Sequence, residues 1–180
     1  MTLKSSEHSH VTSKTLEQGP FRIIEADLAD SHQLEAIMKV LDSYAIEPAG
    51  GSAPIPGDVR QRVMTDLQHV SNALVLAAID EDESTIGVAV CFRAYSTFKG
   101  RPLINLHDLA VLPDHRGRGV GHALLEALEK RANDEGCCKL TLEVLDDNHG
   151  ARRLYESLGF TDGGPGEHET TTLFLQKPLR

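Results

Sequence analysis

The sequence predicts a mixed α/β domain. Three observations carry this. Two apolar runs of strand length flank an acidic turn. A glycine-dense loop sits between a strand pattern and a helix pattern. Along most of the chain, segments of period two exchange with segments of period 3.6. The 180 residues suit one domain, read as residues 20–180 behind a leader of residues 1–19. That leader contains no apolar run, so neither a signal peptide nor a membrane span is expected in it, and it is expected to be flexible.

The elements follow in order. "FRIIEAD", residues 21–27, reads as a first strand, and Asp30 or Ser31 can cap a helix with Leu34, Ile37, Met38 and Leu41 on one stripe. "EPAGGSAPIPGD", 47–58, is a loop rich in Gly and Pro, after which Val59, Val63, Leu67 and Val70 recur at helical spacing. "NALVLAAID" and "TIGVAVCFRAY" form hairpin strands around "DEDES", and "PLINLHDLAVL", 102–112, is the fourth strand. The helix after the glycine loop carries Val120, Leu124, Leu125, Leu128 and Ala132 and stops near Gly136. "CKLTLEVL", 138–145, alternates cleanly and predicts the fifth strand. A last helix holds Ala151, Leu154, Tyr155 and Leu158 and ends at Gly159, and "TTTLFLQ", 170–176, closes the sheet. The order is β-α-α-β-β-β-α-β-α-β, without internal repeats or low-complexity stretches.

Composition narrows the function classes. A net charge of −9 argues against nucleic acid or an anionic membrane as partner. It favours a cationic substrate mildly, although solubility alone accounts for it. Aromatic residues are 4% of the chain and Trp is absent, which disfavours base-stacking platforms. Cys91, Cys137 and Cys138 are an odd, low count, as in a reduced cytoplasmic protein, and the adjacent pair reads as packing rather than redox chemistry. The nine His residues include no HExxH and CxxC is absent, so no metal is expected.

The chemistry concentrates in "LPDHRGRGVGHALL", 112–125, where Gly117, Gly119 and Gly121 alternate with other residues just ahead of a helix. First-turn N–H groups have no partners within a helix, and the helix dipole adds positive potential. Glycines expose the backbone and permit the positive φ that turns successive amides inward. Arg116 and Arg118 are forks matched to phosphate. The loop is therefore an anion site. It is not a P-loop, because no Gly-Lys-Ser/Thr occurs. It is not a dinucleotide fingerprint either: from Gly117 the last position is His122, and from Gly119 it is Leu124.

"RGRGVG", residues 116–121, resembles the R/Q-x-x-G-x-G/A motif of the GNAT superfamily of N-acetyltransferases. "EVLDDNHGARRLYESLGF", 143–160, is similar to that family's fifth strand and following helix, with Asn148, Tyr155 and Gly159-Phe160 at its spacing. The resemblance spans roughly residues 20–177 and is specific over 105–160. It implies a central, mostly antiparallel sheet with helices on both faces and a splay between the fourth and fifth strands. It also implies acetyl-coenzyme A as co-substrate and an amine acceptor, with direct attack in a ternary complex. Coenzyme contacts are then expected from Arg116, Gly117, Arg118, Gly119, Val120, Gly121 and His122, from the backbone of Leu109, Ala110 and Val111, and from Asn148 and Tyr155.

Three chemical demands follow. An ammonium must be deprotonated before it attacks, and many family members carry a Glu on the fourth strand for this. Here Asn105 and His107 stand instead. His107 suits a base with its ordinary pKa of about 6.5, and Asp108 or a water chain are the alternatives. Simple alternation places Asn105 and His107 on one face and Asp108 on the other, unless a bulge resets the register. The thioester oxygen needs a donor, expected from backbone amides of Leu109–Val111. The leaving thiolate needs a proton, for which Tyr155 matches the family's Tyr. Asn148 could contact the coenzyme or only cap a helix, and Arg152 and Arg153 could meet phosphates or solvent. The acceptor is expected to be the primary amine of a small molecule. A protein N-terminus or lysine is an alternative, and a non-catalytic acyl-coenzyme A-binding domain is a third. The resemblance places the acceptor pocket among residues 43–62, 95–102 and 162–170, and homodimers are frequent in the family.

Overall fold

The structure is a computed structural model that describes residues 16–17, 20–161 and 177. The rest of the expected leader and the expected strand at 170–176 lie outside the described residues. Among the described residues six strands form one sheet in the order β1-β2-β3-β4-β5-β6. They are β1 (Leu16–Glu17), β2 (Phe21–Glu25), β3 (Ala73–Asp80), β4 (Thr85–Ser96), β5 (Arg101–Val111) and β6 (Leu140–Leu142). Neighbours run antiparallel except β5 and β6, which are parallel. The helices are α1 (Ser31–Ala45), α2 (Gly57–Asp66), α3 (Val120–Asp134) and α4 (His149–Ser157).

Local chemistry explains most boundaries. Asp30 caps α1 by accepting from His32 N at 2.8 Å. Asp80 closes the β3–β4 turn by accepting from the amides of Asp82 and Ser84, at 3.0 and 2.8 Å. Gly136, at φ +68°, ends α3, and its amide reaches Asn133 O at 3.0 Å.

The core has two parts, one on each face of the sheet. On one face, Leu74, Leu76, Ala89, Cys91, Ile104 and Leu106 pack against Val120, Leu124, Leu125 and Leu128 of α3 and Tyr155 of α4. On the other, Val75, Val88, Val90 and Ala110 pack against Ile37 and Val40 of α1, with Tyr44 and Leu112 at the margin. Helices therefore cover both faces, as expected. Gly87 of β4 lets α3 approach closely: a Cβ there would lie 2.8 Å from Val120 Cγ1.

Three expectations need correction. On α1, Val40 is buried where Leu41 was expected, and Leu41 is only partly covered. The stripe assigned to α2 is a margin of the core rather than part of it: Leu67 packs against the α1-side cluster, Val59 and Val63 are half-buried, and Val70 is 36% exposed. Arg60 of α2 reaches Asp42 and Glu35 of α1 with one guanidinium. The fifth strand is shorter than its alternation suggests. Its ladder with β5 joins Ile104, Asn105 and Leu106 to Leu140, Thr141 and Leu142, and beyond it Val144 and Leu145 are exposed. Alternation reports which side a residue could face, and it does not report where the partner strand turns away.

Replacing Leu124 by Ala should lower unfolding free energy in a urea titration by about 2–5 kcal/mol, because its side chain is wholly enclosed between α3 and the sheet. Val63→Ala on α2 should cost less than about 1 kcal/mol.

Candidate active site

The site lies where β5 leaves β6. Past Leu106 the strand keeps its pairing with β4 to Val111, opposite Gly87, and pairs no further with β6. The edge of β5 from His107 to Val111 therefore faces a gap in the sheet. Leu109, Ala110 and Val111, expected to offer backbone donors, occupy this stretch.

A β-bulge sits at the gap. Val90 lies opposite Asp108 and Cys91 opposite Leu106, which leaves His107 as the extra residue of β5. The bulge shifts the alternation. Val90 and Ala110 belong to the α1-side core, so Asp108, between them in register, also faces α1. Asn105 is opposite Phe92 and shares that face. The His107 ring meets the Phe92 ring edge-on at 5.6 Å. The register change thus puts Asn105, His107 and Asp108 on one side, where simple alternation separates Asp108. Asn105 is already engaged, since its Nδ2 donates to Thr141 O at 3.3 Å and Oγ1 at 3.1 Å and so ties the last paired rungs of β5 and β6.

Asp108 is half-buried. Burial raises its carboxyl pKa, His107 opposes this by favouring the anion, and no Lys or Arg among the described residues pairs with it. Its field reaches Cys91, whose thiol is pushed up to about 12 by burial first and Asp108 second. It also reaches Tyr44, whose phenol is raised by burial, then Asp108, then Glu47. Tyr155 is pushed up to about 12 by burial and then by the nearby Tyr44, so it stays protonated at neutral pH. Its ring packs against Phe160 at 5.8 Å. Tyr155 projects from α4 on one side of the sheet and Tyr44 from α1 on the other.

The glycine loop follows directly. A short turn at Pro113–His115 leads from β5 into it. Gly117 and Gly119 have φ of +70° and +83°, which suit glycine, and a Cβ at either would meet nothing within 4 Å. Gly121 is small for another reason: a Cβ would stand 3.2 Å from Leu154 Cδ2 of α4. Gly119 is the N-cap of α3 and provides no side-chain cap. None of the main-chain amides from Gly117 to His122 donates to an acceptor of the described residues. Unpaired amides, a helix start and open space above two glycines fit a diphosphate. Val120 is buried beneath the loop, while Arg118 is exposed. His122 Nδ1 lies 3.3 Å from Glu126 on the same helix.

Arg116 does not extend into this space. Its Nε donates to Val111 O at 2.9 Å, and its terminal nitrogens hold both oxygens of Glu47 at 3.1 and 2.5 Å. Asn148 caps α4 by accepting from Ala151 N at 3.2 Å. Arg152 donates to Asp146 O and lies 3.7 Å from Glu156, and Arg153 is exposed. Tyr44 and Glu47 fall within the stretch 43–62 expected to border the acceptor, but the pairing of Glu47 with Arg116 was not expected. They sit at the end of α1 and beyond it, where only the fold brings them to β5. Among the described residues no cluster of His, Cys, Asp and Glu could hold a metal ion.

Residues 38–160, more than half of the chain, match the Acetyltransferase (GNAT) family, and the chain belongs to that family. It is 38% identical over 100 residues to thialysine N-epsilon-acetyltransferase of Bos taurus, covering 54% of this chain and 58% of that protein. The Mus musculus protein of the same name is 33% identical over 96 residues, 52% of this chain and 56% of that one. The chain thus matches a little over half the length of these curated relatives. Among solved structures, a probable acetyltransferase superposes with a TM-score of 0.71 at 22% identity, covering 87% of this chain and 99% of that one. An aminoglycoside acetyltransferase from an uncultured soil metagenomic sample, solved with sisomicin, gives 0.70 at 16%, covering 89% and 97%.

Two predictions follow from this geometry. Gly119→Ala forces a side chain into a left-handed backbone, so it should cost about 1–2 kcal/mol in thermal unfolding. For Asp108, the folded state binds the carboxyl proton more tightly than the unfolded chain does. That contribution is complete below the ordinary value of 3.8 and fades as pH rises through the raised folded value. Asp108→Asn should therefore melt above the wild type at pH 7, with the difference shrinking toward pH 4. A difference constant with pH would contradict this.

Proposed function

We propose that the protein is an acetyl-coenzyme A-dependent N-acetyltransferase acting on the primary amine of a small molecule. The supporting observation is the row of unpartnered amides from Gly117 to His122, set at an uncapped helix start beside the free edge of β5. Relatives named for thialysine and for aminoglycosides supply the acceptor class, a small amine.

Acetyl-coenzyme A would supply the activated acyl group and depart as a thiol. The residues then divide the work. Amides of the loop hold the diphosphate, and Arg118 adds charge. Backbone donors of Leu109–Val111 polarise the acyl oxygen. Asp108 and His107, gathered by the bulge, take the proton that an acceptor ammonium must lose. Asp108 remains an acceptor of protons while its burial favours the neutral form, which suits a group that gains one proton per cycle. Tyr155 stays protonated at neutral pH and donates to the thiolate. The acceptor enters from the α1 side, past Tyr44 and Glu47. A reduced cytoplasmic setting agrees with the three free cysteines. Residues 20–180 act as one domain, and of the expected leader Leu16–Glu17 joins it as the edge strand β1.

An amine panel containing thialysine and sisomicin tests this by acetyl-coenzyme A-dependent thiol release. Turnover with at least one small amine is expected, and binding of acetyl-coenzyme A without turnover on any amine, peptides included, would favour a non-catalytic domain. Tyr155→Phe should leave acetyl-coenzyme A stabilisation of the fold intact and lower kcat by about 10²-fold or more. Unchanged kcat would remove Tyr155 as the donor.

A further inference from the structure

We infer that Arg116 is a brace rather than a phosphate ligand, and that with Glu47 it couples the glycine loop to the α1–α2 connection on the acceptor side. The inference rests on the acyltransferase reading above. One guanidinium is held at three of its nitrogens: Nε on Val111 O at the end of β5, and the two terminal nitrogens on the two oxygens of Glu47. Such a bidentate fork with a third bond has a fixed plane and direction. It cannot turn to a diphosphate without abandoning Glu47. Arg118, exposed and without an ion pair among the described residues, is left to serve phosphate.

Glu47 is itself fixed. Its amide donates to Tyr44 O at 3.0 Å, closing the end of α1. Its carbonyl accepts from Gly50 N at 2.9 Å and Ser52 N at 3.0 Å, which organises the turn at Pro48–Gly50. The carboxylate, the end of α1 and that turn form one unit. Arg116 joins this unit to β5 and to the first residue of the glycine loop. Tyr44 lies beside the joint, within the electrostatic reach of both Glu47 and Arg116. When ligand fixes the loop, the brace therefore fixes residues 46–53 as well. Arg116 and Glu47 are positioning residues, and the acceptor wall is set by the state of the coenzyme half.

Hydrogen exchange of the full chain with and without coenzyme A tests this, together with coenzyme A affinity by calorimetry. In the wild type, coenzyme A should slow exchange of amides in 46–53. Glu47→Gln should abolish that protection while affinity stays within about threefold. Arg116→Lys keeps the charge and loses the fork, so it should show the same pattern, and the double variant should be no worse than either single one. Protection persisting in both variants overturns the coupling. So does affinity about tenfold weaker in Arg116→Lys alone, which would make Arg116 a phosphate ligand. A wild type that fails to bind coenzyme A sinks the acyltransferase reading itself, whereas one that binds it without protecting 46–53 sinks only the coupling.

Discussion

The divergence of β5 from β6 is the constraint on which the rest depends. Three rungs hold the two strands together, and the Asn105 side chain clamps the middle one to Thr141. Past that point β5 follows β4 and β6 does not follow β5. A continuous sheet would bury the edge from His107 to Val111 under another strand. The divergence keeps backbone donors available, and it is affordable because β4 still satisfies the other edge of β5. The loop and α3 inherit their position from this strand end.

Much of the architecture was legible because it depends on periodicities with one period per element. Val120, Leu124, Leu125, Leu128 and Ala132 of α3 are all buried as their spacing requires. The hairpin strands agree to within a residue or two of their predicted ends. Features that depend on two elements at once were less legible. The length of β6 is decided by β5, and the partial burial of the α2 stripe by how closely it is packed against the α1-side core. The bulge needs both strands of a ladder to be counted, so Asp108 could not be assigned a face from "NLHDLAV" alone.

The loop shows the same division. Its glycines announced an anion site, and the backbone there has the positive φ and open space that such a site needs. The destination of the Arg116 side chain was hidden. A guanidinium beside a phosphate motif reads as a ligand until its competitor is known, and that competitor, Glu47, is a remote residue brought in by the fold. Similarly, Asn148 has a side chain that serves both a cap and a ligand by the same chemistry, and the cap is the role its geometry displays.

The manner in which α2 is attached has a consequence for evolvability. Its link to α1 runs through one guanidinium and two carboxylates, with no buried side chain of its own. Such an attachment is weakened by ionic strength and tolerates sequence drift, because few shapes must be matched. The coenzyme half, with α3 wedged against Gly87, allows neither. On the proposed reading, selection for a new acceptor can therefore rework the α2 side while the side built on α3 stays as it is.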